Sequence, residues 1–183
     1  MHNGGGMLFV RPVAASDWRS YRDLRLRALR DSHEAFASTH ERESVRADDD
    51  WRARVSAVAS SSTAQAFFAH WNNEACGLVW CKASDVESSV VEIFQMWVAP
   101  DARGSEPGVP CLRGLSHAED RGAACVRLGV TIADSPAMHL YKASGFHAAG
   151  APEPLREGSA LMSQSMELNL GSRLARKGQG LGR

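Results

Sequence analysis

Hydrophobic and polar positions alternate along this chain with two distinct periods. Met7 to Val13 is an apolar, β-branched run interrupted by Arg11 and closed by Pro12, the pattern of a strand at a sheet edge. A period near 3.6 follows: Trp18, Tyr21, Leu24, Ala28 and Leu29 fall on one arc of a helix that Ser16 and Asp17 can cap, with Arg19, Arg22, Asp23 and Arg30 facing solvent. A weaker helical stretch covers Glu34 to Arg42. Asp48-Asp49-Asp50 then supplies the cap and acidic first turn of a helix from Trp51 to Ala59.

The period returns to two at Ala66-Phe67-Phe68-Ala69-His70 and Cys76-Gly77-Leu78-Val79-Trp80-Cys81. These runs bracket Asn72-Asn73, which tolerate the positive φ of a tight hairpin turn. Glu87 to Val98 carries the longest strand signal, with Val91, Ile93, Gln95 and Trp97 on one side and Glu92, Phe94, Met96 and Val98 on the other. Apolar residues on both sides predict a central strand. A Pro/Gly-containing loop from Pro100 to Gly108 leads into a helix from Val109 to Arg121, then a strand from Cys125 to Val130. Pro136 to Ala143 reads as a short helix stopped by Gly145, followed by strands near Phe146 to Ala149 and Leu161 to Leu170. This order predicts a mixed α/β (α+β) fold, its central sheet covered by helices on both faces.

Composition narrows the function classes. The 183 residues are 44% apolar and 23% charged, which suits one folded domain, expected over residues 7–170 between a flexible stretch 1–6 and a disordered basic tail 171–183. The 21 basic and 21 acidic side chains cancel, so no global field draws nucleic acid or anionic membrane. With neither a signal-peptide pattern nor an apolar run of spanning length, a cytoplasmic protein without membrane partners is expected. Cys76, Cys81, Cys111 and Cys125 form no C-x-x-C pair, the histidines have no ligand spacing, and no metal site is expected. Neither a G-x-S-x-G elbow nor a Walker loop occurs.

Three local sequences carry a family resemblance. Met96-Trp97-Val98-Ala99-Pro100-Asp101-Ala102-Arg103-Gly104 resembles the strand-to-loop entry of GNAT (GCN5-related N-acetyltransferase) proteins. Ala137-Met138-His139-Leu140-Tyr141-Lys142-Ala143-Ser144-Gly145-Phe146 resembles their A-x-x-L-Y-x-x-x-G-F pattern, and Val10-Arg11-Pro12 their opening strand. The resemblance covers roughly residues 7 to 170 and implies a mostly antiparallel mixed sheet of about six to seven strands. It implies an acetyl-coenzyme A-dependent N-acetyltransferase acting on a primary amine, and GNAT domains often pair as homodimers.

The resemblance also implies a site. Met96, Trp97 and Val98 would line the pantetheine arm. Arg103, Gly104, Ser105, Gly108 and Val109 would form the pyrophosphate loop, where backbone N–H groups and a helix N-terminus suit an anion. Asp134 stands on the same side, where many relatives carry Asn, and can cap the helix that begins at Pro136. Tyr141 would be the general acid that protonates the departing thiolate, or else a core tyrosine. Glu92, six residues before Val98, matches a general-base position; burial would raise its pKa, whereas at an open strand end it would be solvated or paired with an Arg. Phe36, Ser38, Thr39 and Trp80 are expected along the acceptor wall.

The loop departs from the family's R/Q-x-x-G-x-G/A. Glu106 replaces the middle glycine, and a carboxylate roughly 7 Å from a pyrophosphate at an effective dielectric of about 20 costs about 2 kcal/mol. Pro107 lacks an N–H worth about 1.5–3 kcal/mol to a charged acceptor. Pro110, in a first helical turn, removes one further donor, and Asp134 adds negative charge. Either Glu106 turns outward and the remaining donors hold the phosphates, or the domain has become a binding module without cofactor. The basic tail, read as a nucleic-acid arm, would be a third function.

Overall fold

The computed structural model describes residues 7–103 and 109–171. Among the described residues, eight strands and five α-helices follow the predicted order, with β7 the one strand not predicted. β1 (Leu8–Pro12) is antiparallel to β2 (Ala64–Trp71), from Leu8↔Trp71 to Pro12↔Phe67. Between them lie α1 (Trp18–Asp31), α2 (His40–Ser44) and α3 (Asp48–Ala59). Then come β3 (Glu74–Ala83), β4 (Val90–Val98), α4 (Val109–Asp120), β5 (Cys125–Thr131) and α5 (Pro136–Ala143). β6 (His147–Ala148), β7 (Glu153–Pro154) and β8 (Met162–Asn169) complete the chain. Hydrogen bonding orders the strands β1-β2-β3-β4-β5-β8-β6, with β7 on β8, so Pro12 does stand on an edge strand. The sheet exceeds the expected six to seven strands through β7, a two-residue piece too short for a periodic signal, while β6 is the strand expected near Phe146 to Ala149.

Contacts divide the chain into two compact units. The first comprises Met1–Trp80 with Gln95–Gly114, the second Cys81–Phe94 with Leu115–Arg183. The first is built around a core of Trp18, Tyr21, Leu24, Ala28, Leu29, Trp51, Val55, Phe68, Leu78 and Trp97. The α1 residues among them are those of the predicted apolar arc. In the second, Val90, Val91, Ile93, Val126, Leu128, Val130, Met166 and Leu168 are buried. β5 pairs with β8 antiparallel from Cys125↔Asn169 to Thr131↔Ser163, and with β4 in parallel from Val90↔Cys125 to Ile93↔Leu128.

Asn72 and Asn73 take φ of 49° and 70°, the left-handed turn expected of the hairpin. Several local expectations are corrected. Asp17 does not cap α1: its carboxylate accepts the Ala14 N–H at 2.7 Å and binds Arg11 at 2.7 Å, fixing the turn between β1 and α1. The stretch Glu34 to Arg42 is helical only from His40, where Thr39 Oγ1 accepts the Arg42 N–H at 3.3 Å and starts α2. Ser135, not Asp134, caps α5 by accepting the Met138 N–H at 3.2 Å, and Gly145 ends that helix at φ 94°. Residues 1–6 and 172–183, and with them the tail expectation, lie outside the described residues.

Candidate active site

β4 does not keep its alternation to the end. Gln95 adopts φ 52°, a left-handed conformation rare in a strand, two residues beyond the last register pair of the β4–β5 ladder. Such a residue shifts the pleat by one and bends the strand, as in a β-bulge. The single-faced arrangement of Val91, Ile93, Gln95 and Trp97 therefore breaks at Gln95. Ile93 and Trp97 are buried, Gln95 and Met96 half-buried, and Phe94 is exposed rather than covered.

The bulge is tied to α1: the Tyr21 hydroxyl, fully buried, donates to Gln95 Oε1 at 2.5 Å. Burial raises the Tyr21 pKa, partly offset by Arg54 and Arg25 nearby, so the phenol stays a neutral donor. Two residues on, the Trp97 indole is buried and donates Nε1–H to Asp31 Oδ2 at 2.9 Å. Arg103 binds the same carboxylate oxygen through Nη2, while its Nε donates to the Val98 carbonyl at 2.8 Å. Burial opposes ionisation of Asp31, but hydrogen bonds from Ser32, Trp97 and Arg103 outweigh it and hold the carboxyl below its ordinary range. Arg103, expected to supply charge to a diphosphate, is thus anchored at the C-terminus of α1. Backbone Val98 and side-chain Arg103 meet, and Ala99 N–H donates to Cys76 O at 2.7 Å, so the turn after β4 is fixed from both sides. Gly104, Ser105, Glu106, Pro107 and Gly108 lie outside the described residues; Val109 begins α4 as expected.

Of the expected acceptor-wall residues, three gather in the first unit. Phe36 is buried beneath Arg25, whose guanidinium carbon lies 4.7 Å from the ring centroid. Ser38 hydrogen-bonds Glu43, the carboxylate that pairs with Arg25 at 2.9 Å. Trp80 is half-buried, edge-on to Tyr21 at 5.9 Å and covered by Arg54 at 5.2 Å. Thr39 serves as the α2 cap.

The second unit holds the other expected residues. Tyr141, on α5, is buried and packs edge-on against Phe146 at 5.9 Å. Glu92 is 29% exposed; Ser84 Oγ donates to it at 3.5 Å and Arg127 Nη1 stands 4.0 Å away. Arg127 also binds Glu167 at 2.7 Å and Glu87 at 2.8 Å, and these hydrogen bonds, Glu87's first, raise its pKa. The carboxylate is therefore neither sealed from water nor alone, which matches the Arg-paired reading of this position. Asp134, its side chain 92% exposed, pairs with His139 rather than capping the helix. Among the described residues no group of His, Cys, Asp or Glu is arranged to hold a metal ion, and no helix is long and apolar enough to cross a membrane.

Asp31, Gln95 and Arg54 are site residues that the sequence reading did not single out. Asp31 carried a signal: an acid in the last turn of a helix opposes the macrodipole and calls for a compensating cation. Gln95, a lone amide on an apolar strand face, carried another.

Comparison with known proteins bears on this geometry. The model of the acetyltransferase (GNAT) family matches residues 25–146. A mycothiol acetyltransferase from Thermobifida fusca is 38% identical over 77 residues, which are 38% of this chain and 24% of that protein. The chain thus spans about a quarter of the length of this curated relative. A spermidine N-acetyltransferase from Vibrio cholerae, solved with CoA and spermine, superposes with a TM-score of 0.74 at 18% identity, covering 91% of this chain and 98% of its own. A Salmonella typhimurium structure solved with its cofactor acetyl-CoA gives 0.72 at 18% identity, covering 90% and 94%. Superposition at such identity shows a shared fold, and the family match spans well over half of the residues. The chain belongs to the GNAT acetyltransferase family.

Proposed function

We propose that this chain moves the acetyl group of acetyl-coenzyme A to a primary amine of a small molecule, residues 7–170 acting as one acetyltransferase domain. The observation that carries this is the bulge at Gln95. The last β4–β5 register pair is Ile93↔Leu128, and in this reading the strand end beyond the bulge, Met96-Trp97-Val98, is where the amides of a pantetheine arm would pair, with Arg103 and the buried Trp97 holding that end through Asp31. The relatives that carry CoA or acetyl-CoA, one of them named for spermidine, support the same donor and an amine acceptor.

In this reading the amine nitrogen attacks the thioester carbonyl carbon, and the C–N bond forms as the C–S bond breaks. Tyr141 gives its phenolic proton to the departing thiolate as general acid. The proton lost by the amine passes through water to Glu92, and the tyrosine recovers its own from solvent. Arg127, whose Nη1 stands 4.0 Å away, helps orient Glu92 between transfers. Arg103, held by the Val98 carbonyl and Asp31, fixes the start of the loop read as the pyrophosphate loop.

A thiol-release assay with acetyl-CoA and a panel of primary amines tests the proposal. Turnover that collapses in Tyr141→Phe is the expected result, and absence of release with every amine removes the enzymatic reading. Glu106 and Pro107 favour a second reading, a binding module derived from this family that has lost the coenzyme. Micromolar binding of acetyl-CoA eliminates it.

A further inference from the structure

The acceptor-wall cluster contains more positive charge than it neutralises. Arg25 is 4% exposed and Glu43 2% exposed, and the carboxylate takes both Nη2 (2.9 Å) and Nε (3.3 Å) of Arg25. Ser38 completes its hydrogen bonding. A second guanidinium, Arg54, acts on the same groups: it lies over Trp80 and close enough to Tyr21 and Glu43 to influence both. Tyr21 is neutral and commits its proton to Gln95. Two guanidinium groups therefore face one carboxylate, and that carboxylate is already spent on Arg25.

Two donor atoms record the imbalance. Arg25 Nη1 and Arg54 Nε are both shielded from solvent, and neither has a hydrogen-bond partner among the described residues. A buried donor left unpaired is unfavourable, and in native structures it commonly marks a position that a ligand or water fills. Arg54 as a residue is half-buried where Arg25 is buried, so its side chain reaches the surface although its Nε is shielded. Its planar fork suits a carboxylate bound through two N–H groups, while the Trp80 ring beneath it keeps the fork in place.

We propose that Arg54 binds a carboxylate carried by the acceptor, so that the amine acetylated belongs to an amino acid or a similar zwitterion rather than to a polyamine. This rests on the acetyltransferase reading for the identity of the reaction, but the anion site itself does not. By occupying Glu43, Arg25 leaves Arg54, which also neighbours the Tyr21 hydroxyl, without a carboxylate of its own among the described residues.

Calorimetry on the full chain without coenzyme tests the site alone, using four matched product pairs: N-acetyltyrosine, N-acetylphenylalanine, N-acetylleucine and N-acetylalanine, each against its decarboxylated counterpart. At least one carboxylate-bearing member is expected to bind tenfold or more tightly than its partner. Arg54→Gln is expected to bring that ratio within twofold, and Arg54→Lys, which keeps the charge and loses the fork, to an intermediate value. If Arg54→Gln does not fold, Arg54→Lys and the decline of the ratio between 50 and 500 mM NaCl, on the order of several-fold for an exposed ion pair, supply the same test. No preference in any pair, or a preference that Arg54→Lys and salt leave unchanged, overturns the proposal. A preference that holds while no amine is acetylated leaves the anion site standing and removes the acetyltransferase reading. Turnover of tyramine equal to that of tyrosine, with no binding preference, does the reverse.

Discussion

Replacing Glu43 by Gln perturbs the most deeply buried charges among the described residues. Arg25 stays 4% exposed, its Nε and Nη2 lose a carboxylate at 3.3 and 2.9 Å, and its Nη1 is unpartnered from the start. Breaking a buried ion pair from one side costs about 3–5 kcal/mol, because the remaining charge keeps its desolvation penalty. Against a typical total stability of about 5–15 kcal/mol this is a large fraction. With a urea m-value of about 2 kcal/mol/M, the midpoint of unfolding should fall by about 1.5–2.5 M at constant m. Asp49→Asn, which breaks an exposed pair with Arg52, is the control and should leave the midpoint where it is. The double variant Arg25→Met/Glu43→Leu should recover most of the loss, since it removes both charges.

The same pair sets a pH dependence. Burial pushes the Glu43 carboxyl up, but hydrogen bonds from Arg25 and Ser38 and the charge of Arg54 prevail, so its folded pKa lies below the ordinary value. The unfolded chain then binds the proton first as pH falls. The stabilisation is complete above the ordinary glutamate value of about 4.3 and is lost as pH descends from there through the folded pKa. The stability difference between wild type and Glu43→Gln should therefore be constant from pH 8 to 6 and shrink toward pH 3. A Glu43→Gln midpoint within 0.5 M of wild type, or a difference that grows on acidification, refutes the reasoning.

Other consequences are equally direct. Tyr141→Phe should lower kcat by about 100-fold or more, as removal of a general acid does, with the KM for acetyl-CoA little changed in steady-state thiol release. Glu92→Gln should reduce kcat/KM by about tenfold or more at neutral pH, and the same assay on Arg127→Met should show a loss in the same direction. Asp31→Asn removes charge-assisted bonds to Trp97 and Arg103 and should destabilise the fold by about 1.5–3 kcal/mol, read by urea titration with a shift in indole emission. Glu106→Gly removes a carboxylate placed by sequence beside the pyrophosphate and should tighten acetyl-CoA binding by up to about 30-fold, from a charge term of about 2 kcal/mol, measured by calorimetry.

Much of this architecture was legible because its signals are local. The apolar arc Trp18, Tyr21, Leu24, Ala28, Leu29 lies in the core as its period dictates, and Asn72-Asn73 make the left-handed turn their side chains tolerate. The motifs around Arg103 and Tyr141 carried the resemblance to the family whose model matches residues 25–146. What escaped depends on contacts distant in sequence. Arg25 falls inside the apolar arc, between Tyr21 and Leu29, so its burial was within reach of the helical period; that Glu43 of α2 pairs with it was not. The bulge at Gln95 is invisible to a strict period of two, because a left-handed residue changes the alternation without changing composition. Glu34 to Arg42 was overextended as a helix, since helix-forming residues there lack the tertiary packing that stabilises a short helix.

Titration of acetyl-CoA into the intact chain, followed by calorimetry, tests the central claim most directly. The account predicts one site per chain with a dissociation constant in the micromolar range, weakened at least tenfold when S-acetylpantetheine, which lacks the diphosphate, replaces it. Absence of heat and of any competition at several hundred micromolar coenzyme would contradict it.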